Sequence, residues 1–263
     1  MQLDAYLQRI GYTGDLRSSA SVLEALHLAH ATHIPFENLD ILRGLPIRLD
    51  LDSLQRKLVD GRRGGYCYEH NLLFAAVLEE IGFSVTRLAA RVRYRATSVL
   101  PRTHMLLLVD TDAGRWLADV GFGAEGLLQP VPFDSGQESK QFAWTYRVTP
   151  GPKGPGLRDA WVLQSKHAEG WLDMYGFTLE PQLLVDYEVA NHFTSTHPES
   201  RFVKGLTVQL PRPEARTALR NRELSVDDGT TVTARMLADG DAIRRVIAET
   251  FGLPAPSDLR IPC

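Results

Sequence analysis

Hydrophobic positions in the first eighty residues recur at helical spacing. Leu3, Tyr6, Leu7 and Ile10 fall on one face, and Ser18, Ser19 and Ser21 offer caps ahead of VLEALHLAHATH. A further stripe from Asn71 to Ile81 is closed by Gly82. From Phe83 to about Tyr187 the period shortens. SVTRLAARVRYRA, THMLLLVD, RWLADVGF, FAWTYRV and AWVLQSK predict strands, separated by the turn-forming TDAG, DSGQ and GPKGPG. Many short strands predict a small barrel or sandwich. The last stretch predicts strands in FVKGLTVQL and in ELSVDDGTTVTARM, the latter folded at Asp228-Gly229. An amphipathic helix follows from about Asp241 to Phe251, with Ile243, Val246, Ile247 and Phe251 on one face and Gly252 and Pro254 as its stop.

Composition narrows the partners. The chain has 263 residues, 44% of them hydrophobic, enough for a core without staples. Its net charge is −3, with both signs mixed along the chain, so no basic field for nucleic acid or an anionic membrane stands out. No segment approaches the roughly 20 apolar residues of a membrane span, and MQLDAYLQRIGYTG has no apolar signal core. A small-molecule partner is expected. Two distant cysteines, Cys67 and the terminal Cys263, make no disulfide framework; this fits a reducing compartment, the cytoplasm, and leaves Cys67 free for chemistry.

Cys67 sits in RRGGYCYEHN, where Gly64 and Gly65 permit a tight turn into the following helix. At a helix N-terminus, free N–H groups and the macrodipole favour a thiolate. The same residue also reads as small buried filler, a common fate of cysteine.

A thiolate nucleophile wants a histidine oriented by a third group. THMLLLVD, TDAG and RWLADVGF read as an antiparallel hairpin turning at Asp112-Ala113, so that Asp110 pairs with Arg115. In that register His104 lies opposite Gly121 and Asp119 opposite Leu106. His104 and Asp119 become diagonal neighbours on one face, about 7–8 Å apart at the backbone. An acid amid the apolar residues of WLADVGF needs a partner if buried, and His104 supplies one. A rival cluster, His27, His30 and His33, has a spacing that sends the first and last side chains roughly 120° apart around a helix, so no metal site is expected.

These residues resemble the arylamine N-acetyltransferases. The matching stretches are IPFENL (Ile34–Leu39), RGGYCYEHN (Arg63–Asn71), the TH of RTHMLLLV, WLADVGFG (Trp116–Gly123) and STHPESRF (Ser195–Phe202), in the family's order over most of the chain. The resemblance implies an α+β fold with a cysteine-protease-like catalytic core: a helical bundle over residues 1–82, a central β-barrel over 83–190 and an α/β lid over 191–263. It implies a Cys67, His104, Asp119 triad, acetyl-CoA as acyl donor, an aromatic amine or hydrazine as acceptor, and a role in xenobiotic metabolism. By matching position, Phe36, Val92 and Phe122 would line the acceptor pocket, Phe202 would contact donor or acceptor, and Thr103 and Gly123 would lie near coenzyme A. No phosphate-binding GxxxxGK[ST] is present. Arg91, Arg93 and Arg95 alternate along one strand and would face either the coenzyme's phosphates or solvent.

Two other readings stay open at this level. The same triad suits a cysteine hydrolase or an amide-forming synthase, and a pocket with a vestigial triad would be a binding module. The choice between transferase and hydrolase turns on exclusion of water from the acyl-enzyme.

Overall fold

The computed structural model describes residues 1–123, 125–134, 136–151 and 161–259. The GPKGPG turn beyond Gly151 and the terminal Cys263 lie outside the described residues. Helix α1 (Leu3–Ile10) and helix α2 (Ala20–His33) follow the expected stripes, and the Ser19 hydroxyl caps α2 by accepting from the Val22 N–H. Short helices α3 (Leu39–Leu42) and α4 (Leu51–Leu54) lead through a π-helical turn, Gln55–Asp60, to α5 (Cys67–Ile81). The helical part is not wholly helical. Strand β1 (Phe36–Glu37) leaves it to pair with a strand from the far end of the chain.

Eight antiparallel strands follow: β2 (Ser84–Val92), β3 (Arg102–Thr111), β4 (Gly114–Ala118), β5 (Val131–Pro132), β6 (Ser139–Gln141), β7 (Trp144–Pro150), β8 (Trp161–His167) and β9 (Gly170–Phe177). Their order is β5-β4-β3-β2-β9-β8-β7-β6, and β5 curls back to touch β7, close to a barrel. Along β3, Met105, Leu107 and Val109 pack on the helices while Leu106 and Leu108 face the barrel core, the period-two signature of a strand buried on both faces.

Two expectations need correction. Helix α6 (Leu184–Thr196) begins where strands were expected to end, and residue 190, the expected boundary, falls inside it. Its buried face is Tyr187, Asn191 and Thr194, whereas Val185, Val189 and Phe193, spaced four apart, form an apolar stripe that faces outward. The start of FVKGLTVQL is likewise no strand: the Ser200 hydroxyl accepts from the Phe202 N–H and starts a helical turn, α7 (Arg201–Lys204). The strand proper is β10 (Thr207–Pro211), which joins β11 (Arg216–Arg220), β12 (Glu223–Asp227) and β13 (Val232–Met236) in a five-stranded sheet of order β1-β10-β11-β12-β13. Helix α8 (Gly240–Glu249) covers that sheet through Ile243 and Ile247. Among the described residues no helix is long and apolar enough to cross a membrane.

Candidate active site

Cys67 is the first residue of α5, and the first backbone bond of that helix runs from the His70 N–H to the Tyr66 carbonyl (3.1 Å). The N–H groups of Cys67, Tyr68 and Glu69 therefore precede the helical ladder, where partial positive charge collects. The turn entering the helix is held by ion pairs. Glu69 accepts from the Tyr66 N–H (3.1 Å) and from Lys57 Nζ (2.7 Å), and Arg63 pairs with Glu37 (2.7 Å) and Asp40 (3.0 Å). Cys67 is a free thiol, 3% exposed, with Sγ 3.7 Å from the Thr103 carbonyl oxygen.

The expected hairpin register holds from Leu107↔Ala118 to Thr111↔Gly114. It stops there, and the anticipated pairing of His104 with Gly121 does not form. The Asp119 and Val120 N–H groups turn instead to His27 Nε2 (3.1 Å) and Asn71 Oδ1 (3.2 Å). Gly121 packs so tightly on α5 that an added Cβ would lie 2.8 Å from Cys67 Cα. The side chains meet all the same: His104 Nε2 lies 2.7 Å from Asp119 Oδ2. Asp119 Oδ1 accepts from Asn71 Nδ2 (3.0 Å) and the Gly121 N–H (2.9 Å).

With Nε2 engaged by Asp119, Nδ1 is the ring nitrogen left for the Cys67 sulfur. Burial opposes charge on His104, but the Asp119 carboxylate and the hydrogen bond to Cys67 outweigh it and raise the imidazole to about 10. Burial likewise pushes the Asp119 carboxyl up, and His104, Asn71 and the Gly121 N–H together bring it below its ordinary value. Both shifts favour the imidazolium–carboxylate form of the pair once His104 holds a second proton.

Sequence reasoning missed the supports. Asn71 is one helical turn after Cys67 and so shares its face, a signal present in CYEHN; it also donates to the Met105 carbonyl (2.8 Å), tying α5 to β3. His27 donates through Nδ1 to the Leu128 carbonyl (3.0 Å), leaving Nε2 to accept from the Asp119 N–H; burial holds its imidazole down at about 4. His27 and His30 are thus committed to separate bonds, while His33 Nδ1 turns back to the Ala29 carbonyl.

Above Cys67 and His104 lies an apolar cavity of about 370 Å³ whose walls include Phe36, Val92, Thr103, Phe122 and Phe202. Phe122 meets the His104 ring edge to face (5.2 Å), and Phe36 lies 5.9 Å from Phe202. Gly123 does not line this cavity; it borders a small void behind Phe36 and Phe122. The three arginines do not share a strand face, because β2 ends at Val92. Arg91 bonds the Leu100 carbonyl, Arg93 pairs with Asp173 (3.2 Å), and Arg95 lies over Tyr94 at the cavity wall. A wider polar cleft of about 600 Å³, lined by Arg216 and Arg220 among others, shares Tyr94, Arg95, Phe122 and Arg201 with the apolar cavity.

The family profile described as N-acetyltransferase matches residues 19–259. An arylamine N-acetyltransferase of Mycolicibacterium smegmatis is 43% identical over 232 residues, covering 86% of this chain and 82% of that protein. The chain belongs to the arylamine N-acetyltransferase family. It is an acyltransferase by that membership. The solved arylamine N-acetyltransferase of M. tuberculosis superposes with a TM-score of 0.91 at 38% identity, covering 96% of this chain and 94% of the other. The Mycobacterium marinum arylamine N-acetyltransferase in complex with CoA superposes with a TM-score of 0.89 at 36% identity, covering 96% and 93%. The α+β architecture and the near-barrel sheet are those of this family's solved members.

Proposed function

We propose that this chain transfers acetyl groups from acetyl-CoA to aromatic amines and hydrazines by a ping-pong cycle through acetyl-Cys67. One observation carries the reading: a buried thiol at a helix N-terminus, served by a His104–Asp119 pair, opens into an apolar cavity walled by Phe36, Phe122 and Phe202. His104 takes the Cys67 proton through Nδ1 while Asp119 holds Nε2–H and balances the imidazolium. The thiolate attacks the thioester carbonyl, the C–S bond to coenzyme A breaks, and the departing thiolate recovers a proton from His104. An aromatic amine then attacks acetyl-Cys67, its proton passing to His104, and the Cys67 thiolate leaves. N–H groups of the first turn of α5 face the charge that develops on the carbonyl oxygen.

Phe36, Val92, Phe122 and Phe202 are assigned to the acceptor ring, and their apolar surface keeps water from the acyl-enzyme. Thr103, at the cavity wall beside Cys67, is assigned to the thioester end of the donor, and Gly123 to the backbone behind it. The polar cleft is assigned to the nucleotide end, where Arg95, Arg201 and Arg220 offer cations to its phosphates. In this reading the helical part supplies the nucleophile, the barrel the histidine and aspartate, and the C-terminal part Phe202.

Initial rates at several fixed acetyl-CoA concentrations test the cycle. Parallel double-reciprocal lines with varied arylamine are expected; intersecting lines would exclude the free acetyl-enzyme. Acetate forming faster than acetylated amine would favour the hydrolase reading.

A further inference from the structure

A second polar chain runs beneath the cavity and is not used in the proposed chemistry. The Tyr6 hydroxyl on α1 lies 2.7 Å from His30 Nδ1, His30 Nε2 lies 2.9 Å from His70 Nδ1, and His70 Nε2 lies 3.2 Å from the Pro35 carbonyl oxygen. A carbonyl only accepts, so the proton positions follow along the whole chain. His70 carries its proton on Nε2 and accepts at Nδ1, His30 donates from Nε2 and accepts at Nδ1, and Tyr6 donates. All three side chains are at most 1% exposed, and burial holds His70 at about 4 and His30 well below its ordinary value. The chain is neutral and points one way.

It ends at the residue that precedes a cavity wall. His70 grips the Pro35 carbonyl, and its ring lies nearly parallel to that of Phe36, with centroids 6.2 Å apart and planes 13° apart. The same carbonyl is closely packed, since a Cβ at Gly64 would come within 1.9 Å of it. Phe36 in turn faces Phe202 across the cavity. His70 thus shares the Pro35 carbonyl with the Gly65 N–H (3.4 Å), adds to the strand pairing of Phe36 with Gln209 and lies against the Phe36 ring, and the His30 N–H favours the tautomer this needs.

We propose that the Tyr6–His30–His70 chain is the positioning device for Phe36, which makes His30 and His70 specificity-determining residues for the ring of the acceptor although neither touches it. This rests on reading the cavity as the arylamine pocket. Losing the His30 donor frees His70 to adopt the other tautomer and removes its bond to the Pro35 carbonyl, which keeps only the longer bond from the Gly65 N–H, and lets the Phe36 ring shift. Acceptors with a ring suffer; the donor half-reaction at Cys67 does not.

The experiment compares wild type with His30→Leu, His30→Gln and Tyr6→Phe. In a ping-pong cycle kcat/KM for each substrate reports its own half-reaction, so three are measured: for acetyl-CoA, for an aniline, and for unsubstituted hydrazine as an acceptor with no ring. For His30→Leu the ratio of the aniline to the hydrazine value is expected to fall about ten-fold or more, with the acetyl-CoA value unchanged. His30→Gln, whose amide N–H still donates to His70, should recover most of that ratio. Tyr6→Phe, the mildest change, should shift the ratio in the same direction but less. An unchanged ratio in Tyr6→Phe and His30→Leu, or an equal fall in all three constants, would overturn the proposal. Failure of wild type to take an acetyl group on Cys67 would instead overturn the functional reading beneath it.

Discussion

Replacing Asp119 by asparagine removes one charge from the centre of the site while keeping its shape. Asp119 is 1% exposed and accepts three hydrogen bonds, from His104 Nε2, Asn71 Nδ2 and the Gly121 N–H. An asparagine has two arrangements there. With its oxygen toward His104, its NH₂ faces the two donors of Asn71 and Gly121, and leaving them unsatisfied costs about 1–3 kcal/mol each. With its oxygen toward Asn71 and Gly121, those bonds survive, but the NH₂ now donates to His104 Nε2. His104 must then carry its proton on Nδ1, facing the sulfur, and cannot accept the thiol proton. The second arrangement costs less, so Asp119→Asn should fold and yet hold the wrong tautomer. The expected loss in the rate of Cys67 acetylation by acetyl-CoA is about 10³- to 10⁴-fold. Rapid-quench mass measurement of the acetyl-enzyme gives that rate directly. Alkylation by iodoacetamide gives a second reading, because a histidine that cannot accept the thiol proton leaves less of the reactive thiolate. Near-wild-type acetylation in a folded Asp119→Asn enzyme would refute the role assigned to the His104–Asp119 pair.

Other expectations follow from the same geometry. Cys67→Ser should lose at least about 10³-fold in acetyl transfer to an aniline, since a hydroxyl lacks the accessible anion; retained turnover would remove Cys67 from the mechanism. Gly121→Ala brings a methyl within 2.8 Å of Cys67 Cα and 2.7 Å of Asn71 Nδ2 and should destabilise by about 1–3 kcal/mol in urea unfolding. For pH, His104 is raised by its partners to about 10, so its contribution to stability is complete below the unfolded value of about 6.5 and is lost as pH climbs through about 10. Asp119 is lowered, so its contribution holds above about 3.9 and is lost as pH falls below it. A His104→Gln enzyme should therefore show a shallower loss of Tm between pH 7 and 10 than wild type, and an identical slope would contradict the pairing.

Much of the site was legible because its parts obey local rules. The turn chemistry of TDAG set the hairpin register, and that register put His104 and Asp119 within reach although the ladder ends at Ala118. The helix start at Cys67 could be read from Gly64, Gly65 and the stripe that follows. What stayed hidden depends on tertiary partners. Asn71 and His27 matter because they take over the backbone N–H groups of Val120 and Asp119, and no periodicity announces such a bond. In helix α6 the apolar spacing of Val185 and Val189 does not mark the buried face, which is Asn191 and Thr194; the Asn191 carboxamide accepts from the Tyr66 hydroxyl and donates to the Ile47 carbonyl. The pocket was readable only by family position: Phe36, Val92, Phe122 and Phe202 come from four separate stretches that no single pattern links.

The central claim is that Cys67 carries the acetyl group, and intact-protein mass after brief incubation with acetyl-CoA alone tests it most directly, with digestion to locate the adduct. The account predicts a single acetyl group on Cys67, discharged when an aniline is added. An unacetylated Cys67 that still reacts rapidly with iodoacetamide would contradict it and would move the reactive thiol to another acyl donor or to hydrolysis.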